Sequence, residues 1–206
     1  MKGKNFKKLL LLLVFIAAST GIIIDVYANT MDFDIWKGLS IFKFFTLQSN
    51  ALLAIYTFIA LFNINGLNDN PVFKSLLSPF TSYIMLTGLA FAILLAPTST
   101  VQGLHKVASD ILHYIVPPLM FFFWLIFEER KLEYSYVAKW LIYPVVFMIW
   151  GLYRAFLLDD YLYPFFDPTK FGYFLILYLM AMAISTIAIG AFLVFVKKRF
   201  KFIRIS

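Results

Sequence analysis

The sequence contains no cysteine, which excludes disulfides, thiolate nucleophiles and cysteine-ligated metals. Histidine is nearly as scarce. His105 and His113 stand eight apart with no glutamate or cysteine beside them, so no metal-ligand set is expected. Neither a glycine-rich phosphate loop nor a GxSxG turn occurs, and nothing in the chain calls for a cofactor. Charge is also short: 14% of residues are charged and 62% hydrophobic, with a mean hydropathy of +0.85. A water-soluble globule would need more polar residues than that to cover its surface. The solvent for most of this chain is lipid.

What is present instead is a series of apolar runs, each near the roughly 20 residues that cross a bilayer as a helix. They fall at about 9–28, 39–62, 79–96, 107–127, 136–158 and 172–196. The expected fold is therefore all-α, a multi-pass bundle of about six transmembrane helices in the cell membrane. No linker, repeat or low-complexity tract divides it, so residues 1–206 read as one transmembrane domain. The first run follows a lysine-rich start and ends at Val26-Tyr27-Ala28, which also has the form of a signal peptide and its cleavage site. Its length favours a retained helix. Pro117-Pro118 and Pro144 lie inside spans four and five, where proline removes a backbone donor and frees a carbonyl.

The net charge of +7 could suggest a nucleic-acid partner, but the cations cluster near the ends of spans and form no soluble basic face. They read as a topology signal. Lys2, Lys4, Lys7, Lys8, Lys74, Arg130, Lys131, Lys139, Lys197, Lys198, Arg199, Lys201 and Arg204 fall on one side, 13 in all, against 3 on the other, Lys37, Lys106 and Lys170. By the positive-inside rule both termini are expected in the cytoplasm. The outer side collects Asp32, Asp34, Asp110, Asp159, Asp160 and Asp167 beside Tyr161, Tyr163, Phe165 and Phe166.

Polar residues at membrane depth are costly and turn toward protein or water. On span two, a rotation of about 100° per residue aligns Lys43, Thr46, Leu47 and Asn50 in one stripe. Such a stripe either glues helices together or lines a site. On span four, His113 lies three residues from Asp110 and four from Ser109, so either neighbour could orient its imidazole. Thr46 and His113 each stand about two turns into spans that enter from the same side, which puts hydroxyl and imidazole at similar depth. That pair is the minimum for an activated nucleophile. Asp25 reads as an interfacial residue or a partner for Lys43, His105 as a loop residue, and Arg154 as a headgroup clamp or a partner for Asp159 and Asp160.

At these residues the chain resembles the androgen-induced and androgen-dependent membrane hydrolases, whose bacterial relatives form the Pr-six-Pr family. The matching segments are Lys43-Phe44-Phe45-Thr46, His113-Tyr114-Ile115-Val116-Pro117-Pro118 and Tyr163-Pro164-Phe165-Phe166-Asp167. Phe45-Thr46-Leu47-Gln48-Ser49-Asn50 resembles the bacterial branch in particular, and Gln48-Ser49-Asn50 departs from the animal pattern. The resemblance implies six spans and hydrolysis of a fatty-acyl ester, with Thr46 as nucleophile and His113 as base. Lys43, Gln48 and Asn50 stand near enough in sequence to be oxyanion donors. The alternative is a non-catalytic lipid-binding or transport protein whose stripe lines a ligand cavity. The lack of inverted repeats or paired broken helices argues against a secondary transporter.

Overall fold

The computed structural model describes residues 2–30, 34–62 and 70–199; Asp32, Lys201 and Arg204 of the charge pattern lie outside them. Among the described residues the chain is mostly helical, without strands. Six helical segments are long and apolar enough to cross a membrane: Gly3–Asn29, Phe45–Phe62, Pro71–Thr98, Gly103–Phe127, Ser135–Leu157 and Phe174–Arg199. Packing divides the chain into two compact units, one running up to Arg130 and the other covering Lys131–Arg199.

The first unit begins with α1 (Lys2–Asn29), which runs unbroken through Val26 and Ala28. The short α2 (Ile35–Ser40) is capped by Asp34, whose carboxylate accepts the N–H groups of Trp36 and Lys37. A 3₁₀ turn, Ile41–Lys43, and an extended Phe44 then separate α2 from α3 (Phe45–Phe62). Span two was expected as one run from 39, but it is broken at Phe44. Gln48 secures the break, donating from Nε2 to the Phe42 carbonyl at 2.9 Å. Span three starts earlier than its apolar run, at α4 (Pro71–Ser75), capped by Asn70, and continues through α5 (Leu77–Ala90).

Two π turns follow from proline chemistry. Pro97 cannot donate to Ile93, and Pro117 cannot donate to His113, so the helix widens just before each. The first π turn is Phe91–Leu95, closed by the Ala96 N–H on the Phe91 carbonyl. The second, Ile111–Ile115, lies between α6 (Gly103–Asp110) and α7 (Val116–Phe127), closed by the Val116 N–H on the Ile111 carbonyl. In this unit α1 packs on α3, α3 on α5, α5 on α7 and α7 on α1, a closed ring of four spans. Leu11, Leu53, Ile84, Leu112, Met120 and Phe123 fill its centre. Gly88 permits α5 to approach the π turn closely, since a Cβ there would stand 2.9 Å from both the His113 carbonyl oxygen and Pro117 Cγ.

The second unit contains α8 (Ser135–Trp140), α9 (Ile142–Leu157), α10 (Pro168–Phe171) and α11 (Phe174–Arg199). Span five bends at Leu141, so Pro144 falls in the first turn of α9, where a missing donor costs nothing. Asp167 caps α10 through the N–H groups of Thr169 and Lys170. Gly172, at a φ of +48°, ends α10 and resets the chain for α11.

Candidate functional site

The break at Phe44 decides where Thr46 sits. It stands in the first turn of α3, not two turns into a longer helix, and the first α-type bond runs from the Gln48 N–H to the Phe44 carbonyl at 3.1 Å. The N–H groups of Thr46 and Leu47 precede that ladder, at the positive end of the helix dipole. The Thr46 side chain is buried, at 8% exposure.

His113 sits in the middle of the second π turn, half-buried. Its Nε2 lies 3.2 Å from Thr46 Oγ1. Its Nδ1 lies 2.8 Å from the Ser109 carbonyl oxygen and 3.2 Å from the Ser109 hydroxyl. A carbonyl only accepts, so the proton belongs on Nδ1, and Nε2 presents its lone pair to the Thr46 hydroxyl. The ring stacks on Phe91, with centroids 3.9 Å apart and planes 18° from parallel. Phe91 and His113 come from the two π turns, so both helix distortions converge on this imidazole.

The neighbours named from sequence behave differently. Asp110 turns away to pair with Lys106 at 2.5 Å, leaving Ser109 alone to orient the imidazole. Asn50 is fully buried and donates from Nδ2 to the Thr46 carbonyl at 2.8 Å; its Oδ1 has no partner among the described residues. Gln48 is committed to Phe42, so neither amide donor is aimed at the Thr46 hydroxyl. Lys43 belongs to the 3₁₀ turn before the break and does not share the α3 stripe; its Nζ lies 5.5 Å from the Phe44 ring centroid. The stripe is instead completed by Ser49, whose Oγ lies 3.2 Å from Thr87 Oγ1 on α5.

Asp25 does not pair with Lys43. Its carboxylate accepts from His105 Nδ1 at 3.0 Å, and His105 lies on α6, not in a loop. Arg154, in the second unit, pairs with Asp160, donating from Nε at 3.0 Å and also from Nη2. Its guanidinium stands 5.1 Å over the Trp150 ring. No cluster of three or more metal-binding side chains occurs among the described residues.

Sequence reasoning missed two contributors. Phe91 carries no signal of its own, although Pro97 shortly after it marks the distortion that aims it. Glu128 reads as one charge in a loop, yet it is 2% exposed and tied to Arg130, Ser78 and, through Ser78, to Trp124. No family model, curated protein or solved structure matches this chain.

Proposed function

We propose that the chain is an intramembrane hydrolase of a lipid ester, with Thr46 as nucleophile and His113 as general base. The observation that carries this reading is the Thr46–His113 contact at 3.2 Å with the opposite imidazole nitrogen held by the Ser109 carbonyl at 2.8 Å. The same relation of hydroxyl, base and orienting acceptor underlies hydroxyl nucleophiles in general, with a backbone carbonyl here in the place a carboxylate often takes.

In the first step the Thr46 Oγ1 proton passes to His113 Nε2 as Oγ1 bonds to the ester carbonyl carbon. The N–H groups of the first turn of α3 lie at the positive dipole end suited to the developing oxyanion. Collapse breaks the ester C–O bond, and the imidazolium returns its Nε2 proton to the leaving alkoxide. Water, deprotonated by the same nitrogen, then attacks the acyl-threonine; His113 gives the proton back to Thr46, and the fatty acid leaves. The position of the pair within two membrane-spanning segments suits a water-insoluble acyl substrate. The resemblance to the Pr-six-Pr and androgen-dependent hydrolase segments points to the same residues and to a fatty-acyl ester.

The deciding experiment combines labelling of the purified protein by a long-chain fluorophosphonate with hydrolysis of a long-chain ester. The parent labels and turns over, whereas Thr46→Ala and His113→Ala do neither and still purify as monodisperse protein. Hydrolysis by Thr46→Ala at the parental rate would overturn the mechanism and leave the non-catalytic lipid-binding reading.

A further inference from the structure

The first unit carries a second built feature at the far end of α3. From Thr46 to Ala60 the helix rises roughly 21 Å, at 1.5 Å per residue. There a shallow, open cleft lies among the start of α1, the end of α3, α4 and the end of α7. Its inner wall is apolar, formed by Leu11, Ala60, Leu77, Phe123 and Phe127, and its rim is charged.

The rim charges are not equivalent. Glu128 is spent inside the protein: its carboxylate accepts from Arg130 Nε at 2.9 Å, Arg130 Nη2 at 2.6 Å, the Arg130 backbone N–H at 3.0 Å and Ser78 Oγ at 2.5 Å. The guanidinium fork of Arg130 is correspondingly occupied. Lys7 and Lys74, from spans one and three, are half-buried on the same rim, and neither forms an ion pair with a carboxylate among the described residues. Lys7 Nζ stands 5.6 Å from the Phe127 ring centroid. Glu129, also on the rim, is exposed. Three cations against two carboxylates leave the cleft one positive charge above an apolar wall.

We propose that this cleft binds the headgroup of one monoanionic phospholipid, its phosphodiester between Lys7 and Lys74 and its acyl chains in the surrounding lipid. The charge balance calls for one negative charge. A planar carboxylate is best matched by a guanidinium fork, and the Arg130 fork is already taken; two ammonium point charges suit a phosphate. The cleft lies at the ends of spans, the level of lipid headgroups, where basic side chains meet anionic lipid. The site is independent of the Thr46–His113 reading and stands whether or not the chain hydrolyses esters.

The test counts lipid retained by the full-length protein in a neutral detergent, using native mass spectrometry. The probes are dioleoylphosphatidylglycerol, dioleoylphosphatidylcholine and oleate. One phosphatidylglycerol is expected per chain, in clear preference to phosphatidylcholine. Lys7→Gln and Lys74→Gln should each weaken it about fivefold, and the pair about 25-fold, from roughly 1 kcal/mol per basic side chain near lipid. Lys7→Arg with Lys74→Arg, which keeps both charges, retains binding, as does Lys139→Gln, a charge removal from the exposed face of α8. Equal retention of the two phospholipids, or unweakened binding by the double glutamine variant, overturns the proposal. Oleate bound in preference, with the same lysine dependence, also overturns it, in favour of a fatty-acid site. If the double glutamine variant fails to fold, the parental lipid preference and the single variants still decide.

Discussion

At the residue scale, the candidate site depends on how one imidazole is held. Ser109 offers His113 both a carbonyl at 2.8 Å and a hydroxyl at 3.2 Å, and the shorter contact belongs to the backbone. Ser109→Ala should therefore keep hydrolysis within about threefold of the parent, because the carbonyl that fixes the tautomer survives the substitution. Asp110→Asn should be equally mild, since that carboxylate is engaged with Lys106. A loss of more than a hundredfold in either variant, read as kcat/KM on a long-chain ester, would transfer the orienting role to the side chain concerned. Thr46→Ala removes one neutral hydrogen bond and should cost only about 1 kcal/mol of stability while abolishing turnover. Thr46→Ser keeps the hydroxyl and should retain measurable activity.

At the scale of the element, the π turn of span four is the feature that proline builds and the site uses. Restoring the N–H with Pro117→Ala allows a bond to the His113 carbonyl and lets the turn anneal toward α geometry, which rotates His113 relative to α7. The expected outcome is a folded protein with at least tenfold lower kcat/KM and slower labelling of Thr46; unchanged kinetics would mean that the π turn is incidental. Gly88→Ala tests the same region from α5. The added Cβ meets the His113 carbonyl and Pro117 at 2.9 Å, both parts of a helix that must shift to relieve it, so stability should fall by about 1–3 kcal/mol. In the second unit, the α10 cap is sensitive to acid. Donors from Thr169, with Lys170 beside it, hold the Asp167 carboxyl below the usual carboxylate range. Its contribution is then fully present above pH 4 to 5 and lost as pH falls through the lowered value. Asp167→Asn should flatten the acid limb of the thermal stability profile measured between pH 6 and pH 3.

At the scale of the whole molecule, Glu128 joins the end of span four to Ser78 of span three. It does so through a carboxylate 2% exposed and bonded on both oxygens. Glu128→Gln leaves the Arg130 guanidinium without its counter-charge and should lower stability by about 3 kcal/mol, read from thermal or denaturant unfolding in detergent. Orientation has a direct test as well, because a chain without cysteine offers no background to thiol labelling. Single cysteines near Lys4 and Lys131 should react with an impermeant maleimide only from the cytoplasmic side, and one near Lys170 only from the outside. Labelling of the Lys4 and Lys131 positions from opposite faces would refute the orientation read from the 13 to 3 cation split.

Composition and run length alone determined that the chain is all-α with six helices long and apolar enough to cross a membrane, because a backbone in lipid must satisfy its own hydrogen bonds over a fixed thickness. The two residues of the candidate site were also legible, since a hydroxyl and an imidazole at membrane depth stand out against leucine and phenylalanine. Their contact was decided by tertiary structure. The break at Phe44, secured by Gln48 on a carbonyl six residues back, sets the start of α3 and hence the direction of Thr46. The π turn before Pro117 sets the rotation of His113. A period of 100° per residue assumes an unbroken helix, and at these two places the helix is broken or widened. For the same reason Lys43 left the stripe. The partners of Asp25, Asp110 and Glu128 depended on which ends of which helices met, and no local spacing records that.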